Sequence, residues 1–246
     1  NTVGLIPWFQ TFGAYRQLLK EYEKRNWVKN IGRGAYIRPK DVVDWTGGLY
    51  AIQYQMGILI FVGGKTAIEL KGYAHNIPMN DGHHITLLGD GKKRLPSWFQ
   101  KFNWDVDIDY RTLTIFPSSP TIELIEKEIG QYKLKLSSPE RAILEVMALT
   151  PNVYTFEDSI HMMEGLMSLR PSILQLLLEK CTSIKTKKLF LYLADYCDMP
   201  WSTKLNLKSI KIGTGITSFC SNGTYISKYN IMVPKNMIKE NVEDMP

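Results

Sequence analysis

The sequence predicts a protein of mixed α/β class, in which a small basic N-terminal domain precedes a larger α/β domain with a mixed sheet and packed helices. Its 246 residues, 44% hydrophobic and 22% charged, suit a folded chain of one or two domains. Short β-prone runs and amphipathic helical stretches alternate along it. Residues 1–40 carry eight basic and two acidic side chains, and this net charge of +6 equals that of the whole chain. Such a basic module beside a neutral body is typical of nucleic-acid binding.

The first predicted element is an amphipathic helix over Gly13 to Arg25. At 100° per residue, one face is apolar and carries Tyr15, Leu18, Leu19 and Tyr22. The opposite face is polar and basic and carries Arg16, Gln17, Lys20 and Lys24. A helix that reads DNA needs this division, because one face packs on its own domain while the other meets bases and phosphates.

A hairpin is predicted next, over Trp27 to Arg38. Two short β-prone runs flank Gly32-Arg33-Gly34, whose glycines permit a tight turn. A helix followed by a basic hairpin is the order of a winged helix-turn-helix, and we assign that domain to residues 1–45. The predicted DNA-binding residues are Arg16, Gln17, Lys20 and Lys24 on the helix, with Lys29, Arg33 and Arg38 on the wing. The alternative is a small helix and hairpin with surface lysines and no ligand.

Residues 46–246 are assigned to the larger domain. A helix is expected over residues 41–57, leading into it, and another over 65–73. Strands are expected over residues 57–63, 84–88, 104–110, 113–116 and 132–136. Ser137-Ser138-Pro139-Glu140 has the residues of a helix start, because serine caps, proline fits the first turn and glutamate suits the positive helix end. Helices should then dominate to Tyr196, and short strands should return over 210–233.

Gly63-Gly64-Lys65-Thr66 follows a predicted strand and invites comparison with a phosphate-binding loop. The Walker pattern needs glycine where Leu59 stands, so we interpret the segment as a tight strand-to-helix turn. Hydrophobic-Gly-Gly also opens the signature of nucleotidyltransferases, which need carboxylates on a neighbouring strand to hold two metal ions. The next predicted strand has none.

Asp105, Asp107 and Asp109 alternate along a later strand and could hold a metal. We therefore keep a metal-dependent nucleotidyltransferase as an alternative function, although charged edge strands usually serve to discourage pairing. No ligand spacing emerges among His75, His83, His84 and His161, and we expect neither a metal nor another cofactor. We also expect no catalytic residues. The three cysteines are too few and too scattered for a disulfide framework, which favours a reducing cytoplasm.

A second basic cluster lies at Lys180, Lys185, Lys187 and Lys188, with no acidic residue from 180 to 188. It could dock an acidic partner, so a protein-binding module without DNA binding is a further alternative. A solvated helix face is the ordinary explanation of such a cluster.

Several strings occur in a fixed order along the chain. They are Asn26-Trp27-Val28, Ile31 to Tyr36, Val62 to His75, Ser137 to Glu145, Leu169-Arg170-Pro171, Cys181 to Ala194 and Lys228 to Pro234. Together they resemble the AbiEi-type antitoxins of type IV toxin–antitoxin systems. The resemblance covers nearly the whole chain, and departs from the family where the leading helix of the winged domain is short or lies upstream of Asn1.

The resemblance implies a DNA-binding autorepressor rather than an enzyme. Its expected partners are double-stranded DNA with inverted repeats in the operon promoter and a cognate AbiEii-like nucleotidyltransferase toxin. Opposition to the toxin need not involve a stable complex. The chain has no run of 18 apolar residues that could span a bilayer, and we expect no membrane partner.

Overall fold

A computed structural model of the chain describes residues 1–72 and 84–238. They fall into two compact units, each built from separate stretches of chain. The first unit holds residues 1–66, the described part of 79–114, and 124–137; the second holds 115–123 and the described parts of 67–78 and 138–246. Helices and strands occur in both, so the predicted mixed class is confirmed. The predicted boundary at residue 45 stays a prediction.

The first unit begins with a small antiparallel sheet and two helices. In chain order these are β1 (Gly4–Leu5), α1 (Ile6–Thr11), α2 (Arg16–Lys24), β2 (Lys29–Gly32) and β3 (Ala35–Ile37), and the sheet order is β1-β3-β2. Buried Leu19 of α2, Val28 and Tyr36 form its core. The helix and hairpin predicted here are confirmed, with the helix three residues shorter at its N-terminus and one residue shorter at its C-terminus.

A short helix, α3 (Trp45–Tyr50), continues as a π-helical turn over Ala51–Gln55. The Asp44 side chain caps it by accepting hydrogen bonds from the backbone amides of Thr46 and Gly47. The buried Gln53 amide donates to the carbonyls of Ile60 and Lys135, which ties this turn to two strands. The helix predicted over residues 41–57 is therefore present in its central part.

The main sheet of the first unit has five strands. They are β4 (Ile60–Val62), β5 (His84–Gly89), β6 (Asp107–Thr112), β7 (Leu124–Ile129) and β8 (Tyr132–Ser137), in the order β6-β5-β4-β8-β7. Two pairs are parallel and two antiparallel, so the predicted mixed sheet is confirmed. α4 (Gly64–Leu70) follows β4, and α5 (Ser97–Lys101) lies between β5 and β6.

The strand predicted over residues 113–116 is wrong. These residues belong to no strand, and the carbonyl of Ile115 accepts its hydrogen bond from Thr182 N instead of from a sheet neighbour. β7 is a strand that the sequence did not predict.

Four helices dominate the second unit: α6 (Pro139–Leu149), α7 (Phe156–Glu164), α8 (Pro171–Lys180) and α9 (Ile184–Tyr196). Ser138 caps α6 as predicted, with its hydroxyl accepting from Arg141 N. A small sheet of β9 (Thr217–Ser218), β10 (Gly223–Ile226) and β11 (Ile231–Pro234) follows in the order β10-β11-β9. No helix within residues 1–72 and 84–238 is long and apolar enough to cross a membrane.

Candidate nucleic-acid interface

Helix α2 presents one polar face to solvent. Arg16, Gln17, Lys20 and Lys24 are all exposed, as the helical periodicity predicts. On the other side Leu19 is fully buried against Val28 and Tyr36. Tyr15 departs from the prediction, because it is the extended N-cap residue and 57% of its surface is exposed. The packed helix therefore presents a guanidinium, an amide and two ammonium groups to solvent from a fixed backbone.

A tight turn sets α2 against α1. The carbonyl of Phe9 accepts hydrogen bonds from the amides of Phe12 (3.0 Å) and Ala14 (3.1 Å). Gly13 in this turn has φ +78°, a conformation that favours glycine. Two helices joined by so short a glycine-containing turn are typical of helix-turn-helix domains.

The hairpin β2–β3 carries Arg33 at its tip. Arg33 is exposed, and the flanking Gly32 and Gly34 have φ angles of +152° and +75°, conformations that favour glycine. The amide of Gly32 donates to the Asn30 side-chain oxygen at 3.0 Å, and the carbonyl of Gly34 accepts from Ile6 N at 3.0 Å. The tip is therefore held to the start of α1 while the Arg33 side chain stays in solvent.

Two of the seven predicted DNA-binding residues have acidic neighbours. Lys24 Nζ donates to Glu21 at 2.8 Å, and this hydrogen bond lowers the pKa of Glu21 and raises the pKa of Lys24. Arg38 Nε donates to Asp41 at 3.1 Å. The remaining basic residues of the set form no salt bridge within the described part of the chain, so their charges are available to a polyanion: Arg16, Lys20, Lys29 and Arg33.

The hairpin packs, beside its tip, against a helix much later in the chain. Gly32 lies directly against Trp98 of α5, so closely that a β-carbon on Gly32 would stand 2.7 Å from the Trp98 Cβ. Sequence reasoning missed this support. In the sequence, the one signal was Gly32 before Arg33. A glycine there predicts a turn, but it does not predict that Trp98 packs against that turn.

The second basic cluster is not one exposed surface. Lys180 is exposed and Lys185 half-buried, but Lys187 and Lys188 are buried on α9. The Lys188 ammonium donates to the carbonyls of Gly215 and Asn230, and burial lowers the pKa of Lys188. The prediction of a four-lysine docking face is therefore wrong for Lys187 and Lys188, whose side chains turn into the unit.

The three aspartates are spread among separate partners. Asp105 precedes β6 and accepts from Asn103, Asp107 lies 2.7 Å from His84 Nδ1, and Asp109 accepts from Arg111 Nε at 2.6 Å. Within residues 1–72 and 84–238, no group of three or more histidine, cysteine, aspartate or glutamate side chains is placed to hold a metal ion. His75 and His83 lie outside the described residues.

The Gly63-Gly64-Lys65-Thr66 segment has a structural role. The buried Thr66 hydroxyl accepts from the amide of Thr86 at 2.9 Å, and the amide of Gly63 donates to the carbonyl of Thr86. These bonds tie the turn to β5, in keeping with a strand-to-helix turn rather than a phosphate loop.

Two family models match the chain. One, described as "Transcriptional regulator, AbiEi antitoxin N-terminal domain", matches residues 2–79. The other, described as "Transcriptional regulator, AbiEi antitoxin, Type IV TA system", matches residues 82–234. The chain belongs to the AbiEi antitoxin family. The resemblance seen in the sequence is thereby confirmed, and membership in a family of transcriptional regulators decides against the nucleotidyltransferase alternative.

The fold of this AbiEi-family chain recurs in a solved structure. The RV2827C protein from Mycobacterium tuberculosis is similar with a TM-score of 0.62 and 16% sequence identity. The similarity covers 94% of this chain and 86% of that one, so the likeness in fold extends over both units. No curated protein matches the chain in sequence.

Proposed function

We propose that this AbiEi-family antitoxin and transcriptional regulator represses its own operon. It binds inverted repeats in the double-stranded DNA of the promoter. α2 enters the major groove, where Arg16, Gln17 and Lys20 contact base edges and phosphates, with Lys24 on the same face. The hairpin acts as a wing, and Lys29, Arg33 and Arg38 hold it on the sugar-phosphate backbone.

One observation carries this proposal: all seven of these side chains are exposed. They project from helix α2, from the β2–β3 hairpin and from the residue that follows it, and packing and hydrogen bonds fix the backbones of the helix and hairpin. Binding then orders side chains but not the backbone, which keeps its entropic cost low. The net charge of +6 over residues 1–40 supplies the attraction to phosphate.

Fluorescence anisotropy tests the proposal. The DNA directly upstream of the gene is titrated with the protein over a salt series, beside a scrambled duplex of equal length. Tighter binding to the upstream DNA at physiological salt is expected. Equal, steeply salt-dependent binding to both duplexes would limit the protein to non-specific phosphate contacts.

The antitoxin activity belongs to the same proposal. The protein counteracts an AbiEii-like nucleotidyltransferase toxin encoded beside it, without a lasting complex. Lys180 and Lys185 are what remains accessible of the predicted partner surface. Co-expression should restore the growth of cells that make the toxin, and a tagged toxin should not retain the protein through purification. Stable co-purification would contradict the absence of a complex.

We place the protein in the cytoplasm, where its promoter and toxin are found. Cys181, Cys197 and Cys220 form no disulfide in the described part of the chain, which suits a reducing compartment. Burial raises the pKa of the Cys181 thiol, so this thiol stays protonated and unreactive.

A further inference from the structure

A loop outside the winged domain carries a second exposed basic run. Lys92, Lys93 and Arg94 follow β5 and precede α5, and all three side chains are exposed. We propose that this loop is a second phosphate-binding surface, which grips the DNA backbone beside the wing. The inference rests on the proposed DNA binding and extends the DNA-binding surface to a loop outside the basic segment of residues 1–40.

The backbone of the loop is held in place. The amide of Lys92 donates to the Asp90 carboxylate at 3.0 Å, and the carbonyl of Lys93 accepts from the Tyr110 hydroxyl at 3.0 Å. Leu95, directly after the run, is buried, and its carbonyl accepts from the Gln100 side chain at 2.6 Å. A fixed backbone with free cationic side chains is suited to phosphate, because little order has to be imposed on binding.

Among the described residues, two of the three loop charges have no acidic partner. Lys93 and Arg94 form no salt bridge within the part of the chain that the structure describes, and Lys92 approaches only Asp90, at 3.6 Å. Lys101, at the end of α5, is exposed as well. Positive groups without acidic partners, such as Lys93 and Arg94, fit a polyanion, since each can displace a counterion condensed on DNA.

The packing of Trp98 on Gly32 joins the loop to the wing. Arg94 lies four residues before Trp98, and Trp98 packs on Gly32, the residue before Arg33. Four residues of chain span at most about 14 Å. The loop backbone therefore lies within one turn of B-DNA, about 34 Å, of the wing tip. Continuity with the wing favours DNA over an acidic protein as the ligand.

The test replaces all three residues by glutamine, as Lys92→Gln, Lys93→Gln and Arg94→Gln together. Binding to upstream and scrambled duplexes is measured by anisotropy over a salt series. The slope of log K against log salt should become shallower by about 2 to 3, because each phosphate contact contributes about 0.9. The ratio of affinities for the two duplexes should not change, because phosphates carry no sequence.

A matched control removes the same charge elsewhere. Lys204, Lys208 and Lys211 are exposed lysines of the second unit, and replacing them by glutamine should leave the slope unchanged. Ethylation interference shows which phosphates the protein contacts. In the loop variant, ethylation should cease to interfere with binding at one set of phosphates, and in Arg33→Gln it should cease to interfere at a different set. Urea unfolding checks that the loop variant folds, and the single reversal Lys93→Glu provides a second variant that perturbs only one side chain.

The outcomes separate the two proposals. Sequence-specific binding by the natural protein with an unchanged slope in the loop variants would overturn the loop proposal and leave the repressor proposal intact. Equal slope changes in the loop and control variants would also overturn it, because net charge alone would then be responsible. Loss of toxin counteraction with unchanged DNA binding would make the loop a protein-docking surface instead. No DNA binding by the natural protein would overturn both proposals.

Discussion

Trp98 occupies the space that a side chain at position 32 would need. A β-carbon on Gly32 would stand 2.7 Å from the Trp98 Cβ and 3.0 Å from its Cα, and Gly32 has φ +152°. Both the contact and the dihedral angle require glycine. The hairpin tip next to Gly32 is therefore positioned by a helix far along the chain, so the proposed DNA interface depends on residues beyond the domain predicted over residues 1–45.

Gly32→Ala should weaken both the fold and DNA binding. The added methyl group collides with backbone and side-chain atoms of Trp98 and strains the hairpin, which should cost about 1–3 kcal/mol of unfolding free energy. Urea unfolding measures this cost, and anisotropy with the upstream duplex measures the displaced wing. Gly57→Ala is the control, because Gly57 has φ +62° but open space around its α-carbon. Equal DNA affinities for the two variants would contradict a positioning role for Trp98.

Arg33→Ala should weaken binding to every DNA sequence alike. The wing arginine contacts phosphate in this proposal, so its removal should make the slope of log K against log salt shallower by about 1. Anisotropy over a salt series, with upstream and scrambled duplexes, gives both quantities. A loss restricted to substitutions at one base pair would instead assign Arg33 to base recognition.

Arg16→Ala should relax specificity at one base pair. A guanidinium that bonds a guanine edge contributes about 1–3 kcal/mol of discrimination, and alanine removes it. Affinities are compared for upstream duplexes with single substitutions across one half-site. The Arg33→Ala variant is the matched control, since it should keep the full discrimination at every position. An unchanged profile in Arg16→Ala would remove this residue from base recognition.

Local patterns were enough for the elements that depend on local chemistry. The helical period placed Leu19 inside and Lys20 outside on α2, because helix geometry alone decides which residues share a face. Ser138 and Pro139 marked the start of α6 because capping needs only neighbouring residues. The exposure of the seven predicted interface residues follows from the same local rules.

Features fixed by distant residues could not be predicted. β7 has charged residues such as Glu126 and Lys127 along an edge strand, and only its pairing with β8 makes it a strand. Lys188 can be fully buried because the carbonyls of Gly215 and Asn230 accept hydrogen bonds from its ammonium group. Both acceptors are distant in sequence, so the residues around Lys188 do not predict them. Charge patterning alone therefore cannot separate a basic surface from a buried lysine with backbone partners.

Arg170 binds the buried Glu140 carboxylate through two side-chain hydrogen bonds. Its Nε donates to one oxygen at 2.8 Å and its Nη2 to the other at 3.0 Å, and the Arg170 amide donates as well. Burial by itself would raise the pKa of Glu140, but the hydrogen bonds from Arg170 outweigh it and lower the pKa below 4.5. Charge-assisted bidentate bonds of this kind are stronger than neutral hydrogen bonds.

Glu140→Gln should lower stability at neutral pH by about 1–3 kcal/mol, because the charged bonds to Arg170 are lost. A carboxylate whose pKa is lowered on folding stabilises the protein above the unfolded value of 4.5, and this contribution disappears as the pH falls through the folded value. The stability difference between the natural protein and Glu140→Gln should therefore shrink as the pH falls below 4.5. Urea unfolding from pH 7 to pH 3 measures it, with the exposed Glu164→Gln as control. A difference that stays constant with pH would show that Glu140 stabilises the fold by packing and not by its charge.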